Sequence, residues 1–248
     1  MQFEDNYSDH ISQQFNDELE QIRTSLLTMG GVVERQVTDA IEAILTSNVD
    51  LADQTRKLDQ QTNDMQLEID EQCTRIIARR QPAASDLRLI ISVSKAINDL
   101  ERMGDEATAI ARHAIELVEE GESPKGYQEV RHIGTLVSAM VKDVLTAFAR
   151  SDAEMAYNVA KRDKAVDQEY RSAMRLLATY MMEDSRAISQ MLNVIWVLRS
   201  LERIGDHACN MAEHIIYLTS GSDVRHASLT ELKEAARSET AKNAKTEG

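Results

Sequence analysis

Proline is the first scarcity: the 248 residues hold only two. So little turn chemistry disfavours a β-sandwich or a many-looped α/β enzyme, which punctuate the chain every few residues. Cysteine is equally rare. Cys73 and Cys209 stand far apart and form neither a disulfide framework nor a CxxC metal pair. The opening Met1-Gln2-Phe3-Glu4-Asp5 is acidic, and no secretory signal is readable in it. Long apolar runs are missing too. Val194-Ile195-Trp196-Val197-Leu198 falls far short of the ~18–20 residues that span a bilayer. These absences make the cytoplasm the expected compartment and direct membrane insertion unexpected. Any recruitment to the inner face of the membrane would come through partners. Positive charge is in deficit: 28 Lys+Arg face 42 Asp+Glu, a net charge of −14. That balance argues against nucleic acid and anionic lipid, whose phosphates demand a basic face. It suits cation binding or basic protein partners.

What is present is helical periodicity and enough apolar content, 42%, to build a real core. The pattern predicts a first helix from about Phe15 to Thr46, ended by the polar Ser47-Asn48-Val49-Asp50. A second runs from about Leu51 to Arg80, where Gln81-Pro82 stops it. A third, capped by Ser85 or a neighbour, reaches about Glu120. Gly121-Glu122-Ser123-Pro124-Lys125-Gly126 is the strongest linker signal. A fourth helix spans about Gln128 to Arg150. The fifth follows Ser151-Asp152 and runs to about Met182. The sixth starts at Glu183-Asp184-Ser185 and ends near Ser220-Gly221. After Leu232 the Ala/Lys/Glu/Thr-rich sequence reads as a frayed tail.

The sixth helix repeats the third, about 100 residues later. Leu100-Glu101-Arg102-Met103-Gly104-Asp105 matches Leu201-Glu202-Arg203-Ile204-Gly205-Asp206, and the match continues through Ala107/Ala208, Ala111/Ala212, His113/His214 and Leu117/Leu218. A shorter echo pairs Asp59 and Asn63 with Asp163 and Asp167. The expected fold is therefore all-α, two tandem, pseudo-symmetric three-helix bundles. Residues 14–120 form the first and 127–221 the second, with tails at 1–13 and 222–248.

On a helical wheel, Glu101 and Asp105 fall at about 100° and 140° from Leu100, at the edge of the apolar arc. Glu202 and Asp206 take the same places. Like charges at i,i+4 repel and call for a compensating cation. Gly104 and Gly205 lie inside the arc, and a mid-helix glycine costs ~1 kcal/mol, so a close backbone approach is expected beside the carboxylates. Antiparallel packing brings Asp59 and Asn63 to the level of Glu101, and Asp163 and Asp167 to the level of Glu202. Asp59, Glu101 and Asp105 then make one candidate metal site, and Asp163, Asp167, Glu202 and Asp206 another. An all-carboxylate donor set favours hard or iron-type ions, Mg, Mn or Fe, over structural Zn.

An isolated ExxxD pair is usually solvated charge. Repetition in frame, beside a recurring glycine and opposite a recurring aspartate, is what sets these apart. Arg102 and Arg203 read as salt-bridge partners. His113 and His214, on another face, read as caps or surface contacts. Cys209 and the eleven methionines, Met181, Met182 and Met191 among them, read as core.

Gln14-Phe15-Asn16-Asp17-Glu18-Leu19-Glu20, Met29-Gly30-Gly31, Arg79-Arg80-Gln81-Pro82-Ala83-Ala84-Ser85-Asp86-Leu87-Arg88, the two LER(M/I)GD segments and Tyr180-Met181-Met182-Glu183-Asp184-Ser185-Arg186 together resemble the PhoU family, from about Ser12 to Arg225. The resemblance implies two similar three-helix bundles. It also implies negative regulation of the phosphate-starvation regulon and of phosphate uptake. The implied partners are the ATPase subunit of a phosphate ABC transporter and a sensor histidine kinase, bridged by a homodimeric adaptor. The family's E(D)xxxD motifs are associated with metal, and map here to Glu101/Asp105 and Glu202/Asp206. Asn63 departs from the pattern, where the second half has Asp167. No nucleophile–base pair, P-loop or phosphate-cradling glycine loop is present, which points away from an enzyme. The rival is a ferritin-like helical metalloenzyme, whose Glu-x-x-His pairs are missing.

Overall fold

The structure is a computed structural model describing residues 2–121, 125–225 and 227–246. Seven α-helices account for it: α1 (Gln2–Thr46), α2 (Val49–Arg80), α3 (Ala84–Glu119), α4 (Tyr127–Arg150), α5 (Ala153–Glu183), α6 (Ile188–Ser220) and α7 (Leu229–Thr246). A 3₁₀ turn, Ser185–Ala187, leads into α6. Helices α1–α3 form one bundle and α4–α6 the other.

The two hairpin turns are built alike, because the repeat places the same chemistry at each. Ser47 and Ser151 take positive φ, each ending a helix. The next residue caps the following helix: Asn48 accepts from the Leu51 amide and Asp152 from the Met155 amide. Asp184 caps the 3₁₀ turn through the Arg186 amide. Ser85 does not cap α3. The N-cap is Ala83, with no side-chain bond to the helix. The 121–126 linker signal falls partly outside the described residues, at 122–124.

The bundles share one continuous core rather than two. Helix α3 lies along α6 and α1 along α4. Both pairs are antiparallel, as contacts spread along them show. Arg88 donates to the Leu218 carbonyl, Ser92 to the His214 carbonyl, and His113 meets Asn193. The α1–α4 pair is a dovetail of repeat-related residues. A Cβ on Gly30 would stand 2.4 Å from Leu145 Cδ2, and one on Gly134 would stand 3.0 Å from Ile41 Cγ2. Arg23 of α1 caps the end of α4, donating to the Ala149 carbonyl at 2.6 Å.

Three readings of the chain ends and apolar runs change. The segment after Leu232 is helical, and Leu232 and Ala236 are buried where α7 lies on α5 and α6. Leu229, Leu232 and Ala236, on one face, suffice for docking despite the polar composition. The stretch read as an N-terminal tail continues α1 from Gln2. Helix α4 reaches a mean hydropathy of 1.2 over an 18-residue window, enough for a membrane span by length and composition, yet half of that window is buried in the bundles. Scattered polar residues hide this from a search for unbroken runs.

Candidate functional site

Both LER(M/I)GD segments lie at the middle of the antiparallel α3–α6 pair. Arg203, between Glu202 and Asp206, reaches across to Glu106, the neighbour of Asp105, at 2.7 Å. The two carboxylate motifs therefore stand at one level, on opposite flanks of a single seam.

In the first set, burial raises the pKa of Glu101, and Asp105 and Asp59 raise it further against the pull of Arg102. Asp105 is raised by burial and then by Asp59. Arg102 lies beside both, 3.4 Å from Glu101 and 3.6 Å from Asp105. Asp59 accepts from the Thr108 hydroxyl at 3.3 Å and from the Asn63 amide at 3.4 Å. Behind it runs a buried polar chain. Gln36, fully buried, donates to Thr108 and to the Gly104 carbonyl, and accepts from Thr62. A Cβ on Gly104 would sit 3.2 Å from Gln36 Oε1 and 3.3 Å from Thr62 Cγ2, so the close approach expected there exists.

The second set keeps the carboxylates and loses the polar chain. Around Gly205 the neighbours are Val166, Asp163 Oδ1 and Met140, none nearer to an added Cβ than 3.6 Å, so no close approach requires this glycine. Apolar backing desolvates Asp163. Burial, followed by Asp206, Asp167 and Glu202, pushes its carboxyl up to about 6. Burial and Asp206 also raise Glu202, and burial and Asp167 raise Asp206. Arg199 meets both Glu202 oxygens at 2.9–3.0 Å, and Arg171 holds Asp167 at 2.9 Å. Cys209, half-buried against the core, has its thiol pushed up to about 12 by burial and then by Asp163.

Thus Asp59, Glu101 and Asp105 act on one another, as do Asp163, Asp167, Glu202 and Asp206. Among the described residues, however, no three His, Cys, Asp or Glu side chains converge closely enough to hold a metal ion. Arginines take the place of a cation in this arrangement.

Sequence reasoning missed the seam between the bundles. Asp99 of α3 is buried and binds three side chains of α6. One oxygen accepts from His207 Nδ1 at 2.9 Å and Asn210 at 3.1 Å, the other from His214 Nε2 at 3.0 Å. Burial alone would raise the Asp99 carboxyl, but its bonds from His207, His214 and Asn210 outweigh that and hold it low. His113 and His214 are therefore inter-bundle contacts rather than surface residues. A signal was available: Asp99 interrupts the apolar stripe of α3 two residues before Glu101. Met182 also differs from its reading, being 81% exposed.

Against this geometry, known proteins give a consistent answer. A sequence model described as the PhoU domain matches residues 26–114 and again 130–215, one match per bundle. The chain belongs to the PhoU family. A Pseudomonas aeruginosa protein named phosphate-specific transport system accessory protein PhoU homolog is 63% identical over 230 residues, 93% of this chain and 95% of that one. The crystal structure of PhoU from the same organism superposes with a TM-score of 0.83 at 62% identity, covering 84% of this chain and all of that one. A Streptococcus pneumoniae structure, titled phosphate transport system regulatory protein PhoU, gives 0.77 at 29% identity, covering 84% of this chain and 98% of that one. These PhoU relatives are named as accessory or regulatory proteins, not as enzymes.

Proposed function

We propose that this protein is a non-enzymatic negative regulator of phosphate uptake and of the phosphate-starvation regulon. It acts as a homodimeric, metal-binding adaptor between the ATPase subunit of a phosphate ABC transporter and its sensor histidine kinase, in the cytoplasm. One observation carries the reading: the near full-length match to proteins named as accessory to, or regulatory of, phosphate transport. Deleting the gene should derepress a phosphate-regulated promoter in high phosphate. A promoter that stays repressed sinks the proposal.

The chemistry of the carboxylates supports the metal component. Two sets of mutually repelling acids favour a hard cation, which would relieve the repulsion that, after burial, raises the pKa values of Glu101, Asp105, Asp163, Glu202 and Asp206. Asp59, Glu101 and Asp105 would hold one ion, and Asp163, Asp167, Glu202 and Asp206 the other. Loading requires Glu101 and Asp105 to leave Arg102, Glu202 to leave Arg199 and Asp167 to leave Arg171. Because Arg203 ties the second motif to Glu106, such a change acts on the α3–α6 seam itself. Elemental analysis should find metal in the purified protein and not in a variant with Glu101, Asp105, Glu202 and Asp206 all replaced by alanine.

A further inference from the structure

Helix α6 presents an apolar stripe to solvent near its N-terminus. Ile188, Leu192 and Trp196, four residues apart and so on one face, are 40%, 45% and 56% exposed. Leu192 and Trp196 line a shallow groove of about 410 Å³ whose opposite wall is the end of α3, with Glu116, Glu119 and Glu120. Large apolar side chains exposed together and rimmed by polar groups mark interaction surfaces. Among the described residues that line the groove there is no lysine or arginine. Among the described residues no lysine or arginine pairs with the three glutamates. Glu116 meets His113 at 2.9 Å, and Glu120 accepts from the Ser189 hydroxyl at 2.7 Å.

We propose that this groove docks an amphipathic helical segment of a partner protein, with aliphatic anchors on one face and lysines or arginines flanking them. The anchors cover Leu192 and Trp196, and the cations pair with Glu116, Glu119 and Glu120. Charge selects this occupant over the others. A second copy on a twofold axis would bring the same glutamates against themselves, and an anionic lipid surface would be repelled.

The chain's only tryptophan, Trp196, is the reporter. The probe is a tryptophan-free, 14-residue amphipathic peptide of leucine and lysine, added to the full-length protein. We expect a saturable blue shift of Trp196 fluorescence that weakens at least tenfold in high salt. Glu119→Lys combined with Glu120→Lys should weaken binding at least tenfold. Glu20→Lys combined with Glu154→Lys, the same charge change on exposed residues near the Arg80–Glu18 and Arg23–Ser151 contacts at the other end of α1, should not. Leu192→Ser should also weaken binding, with an unchanged thermal midpoint showing that the fold is intact. The proposal is overturned if both charge-reversal pairs act alike or if a leucine–glutamate peptide binds equally well. An equal blue shift from neutral phosphatidylcholine vesicles, or one that follows protein concentration with no peptide present, would overturn it too.

Discussion

The two carboxylate sets look interchangeable in the sequence, and single side chains behind them make them different. Gln36, Thr62 and Thr108 back the first set with hydrogen-bond donors, whereas Met140 and Val166 occupy the corresponding space in the second. Asp163 therefore carries a desolvation cost that solvent or donors would relieve. Its folded pKa, about 6, lies above the unfolded value, so the folded state binds the extra proton. Its contribution to stability is accordingly present at low pH and lost as pH rises from about 4 through 6. With chelator present, Asp163→Asn should stabilise the protein at pH 7.5 by about 1 kcal/mol, a figure reduced for the group's partial exposure. The gain should vanish near pH 4, and urea melts at the two pH values would check this. The glycines differ in the same way. Gly205→Ala should be neutral or stabilising by up to ~1 kcal/mol, because helix propensity gains and nothing obstructs the new methyl group. Gly104→Ala should destabilise by about 1–3 kcal/mol, because the added Cβ presses on the buried Gln36–Thr62 pair. Thermal or denaturant midpoints of the two variants should move in opposite directions.

At the scale of elements, helix boundaries followed from local chemistry. Pro82 marks the α2–α3 break, and the Ser-Asn and Ser-Asp steps mark the two hairpins. Misreadings arose where packing overrode composition, as in α7. The α1–α4 dovetail is a product of packing as well. Gly30 receives Leu145 and Gly134 receives Ile41, so each half supplies one notch and one knob. Gly30→Ala should cost about 1–3 kcal/mol by overpacking, and Leu145→Ala about 2–5 kcal/mol by leaving a cavity. The double variant should lose less than both together, since the smaller knob makes room for the new methyl group. Additive losses in a double-mutant cycle would mean that the two residues do not share one contact.

For the whole molecule, the repeat was legible because residues 100–105 and 201–206 are nearly identical in sequence. That the halves are one body was not legible, since a helical wheel places a residue on a face without naming what covers that face. Asp99 and its three α6 partners, Arg203 with Glu106, and a core running unbroken through α1, α3, α4 and α6 make the halves mutually dependent. Fragments 14–120 and 127–221, purified apart, should self-associate or aggregate and should form a one-to-one complex when mixed. Two monomeric, cooperatively melting fragments in sedimentation and circular dichroism would contradict this.

Sequence by itself determined the helical class, the duplication, most helix ends and the in-frame carboxylates, including the facing positions of Asp59 and Asp163. Each of these depends on periodicity, capping or repetition, which are local or self-referential properties of the chain. Tertiary structure alone decided that the motifs share one seam, that Asp99 joins its two sides, and that Asp163 is desolvated while Asp59 is hydrogen-bonded. It also decided that Trp196 faces solvent beside three glutamates. Those properties depend on which distant residue fills a neighbouring space, and burial and dielectric environment exist only once the helices have packed.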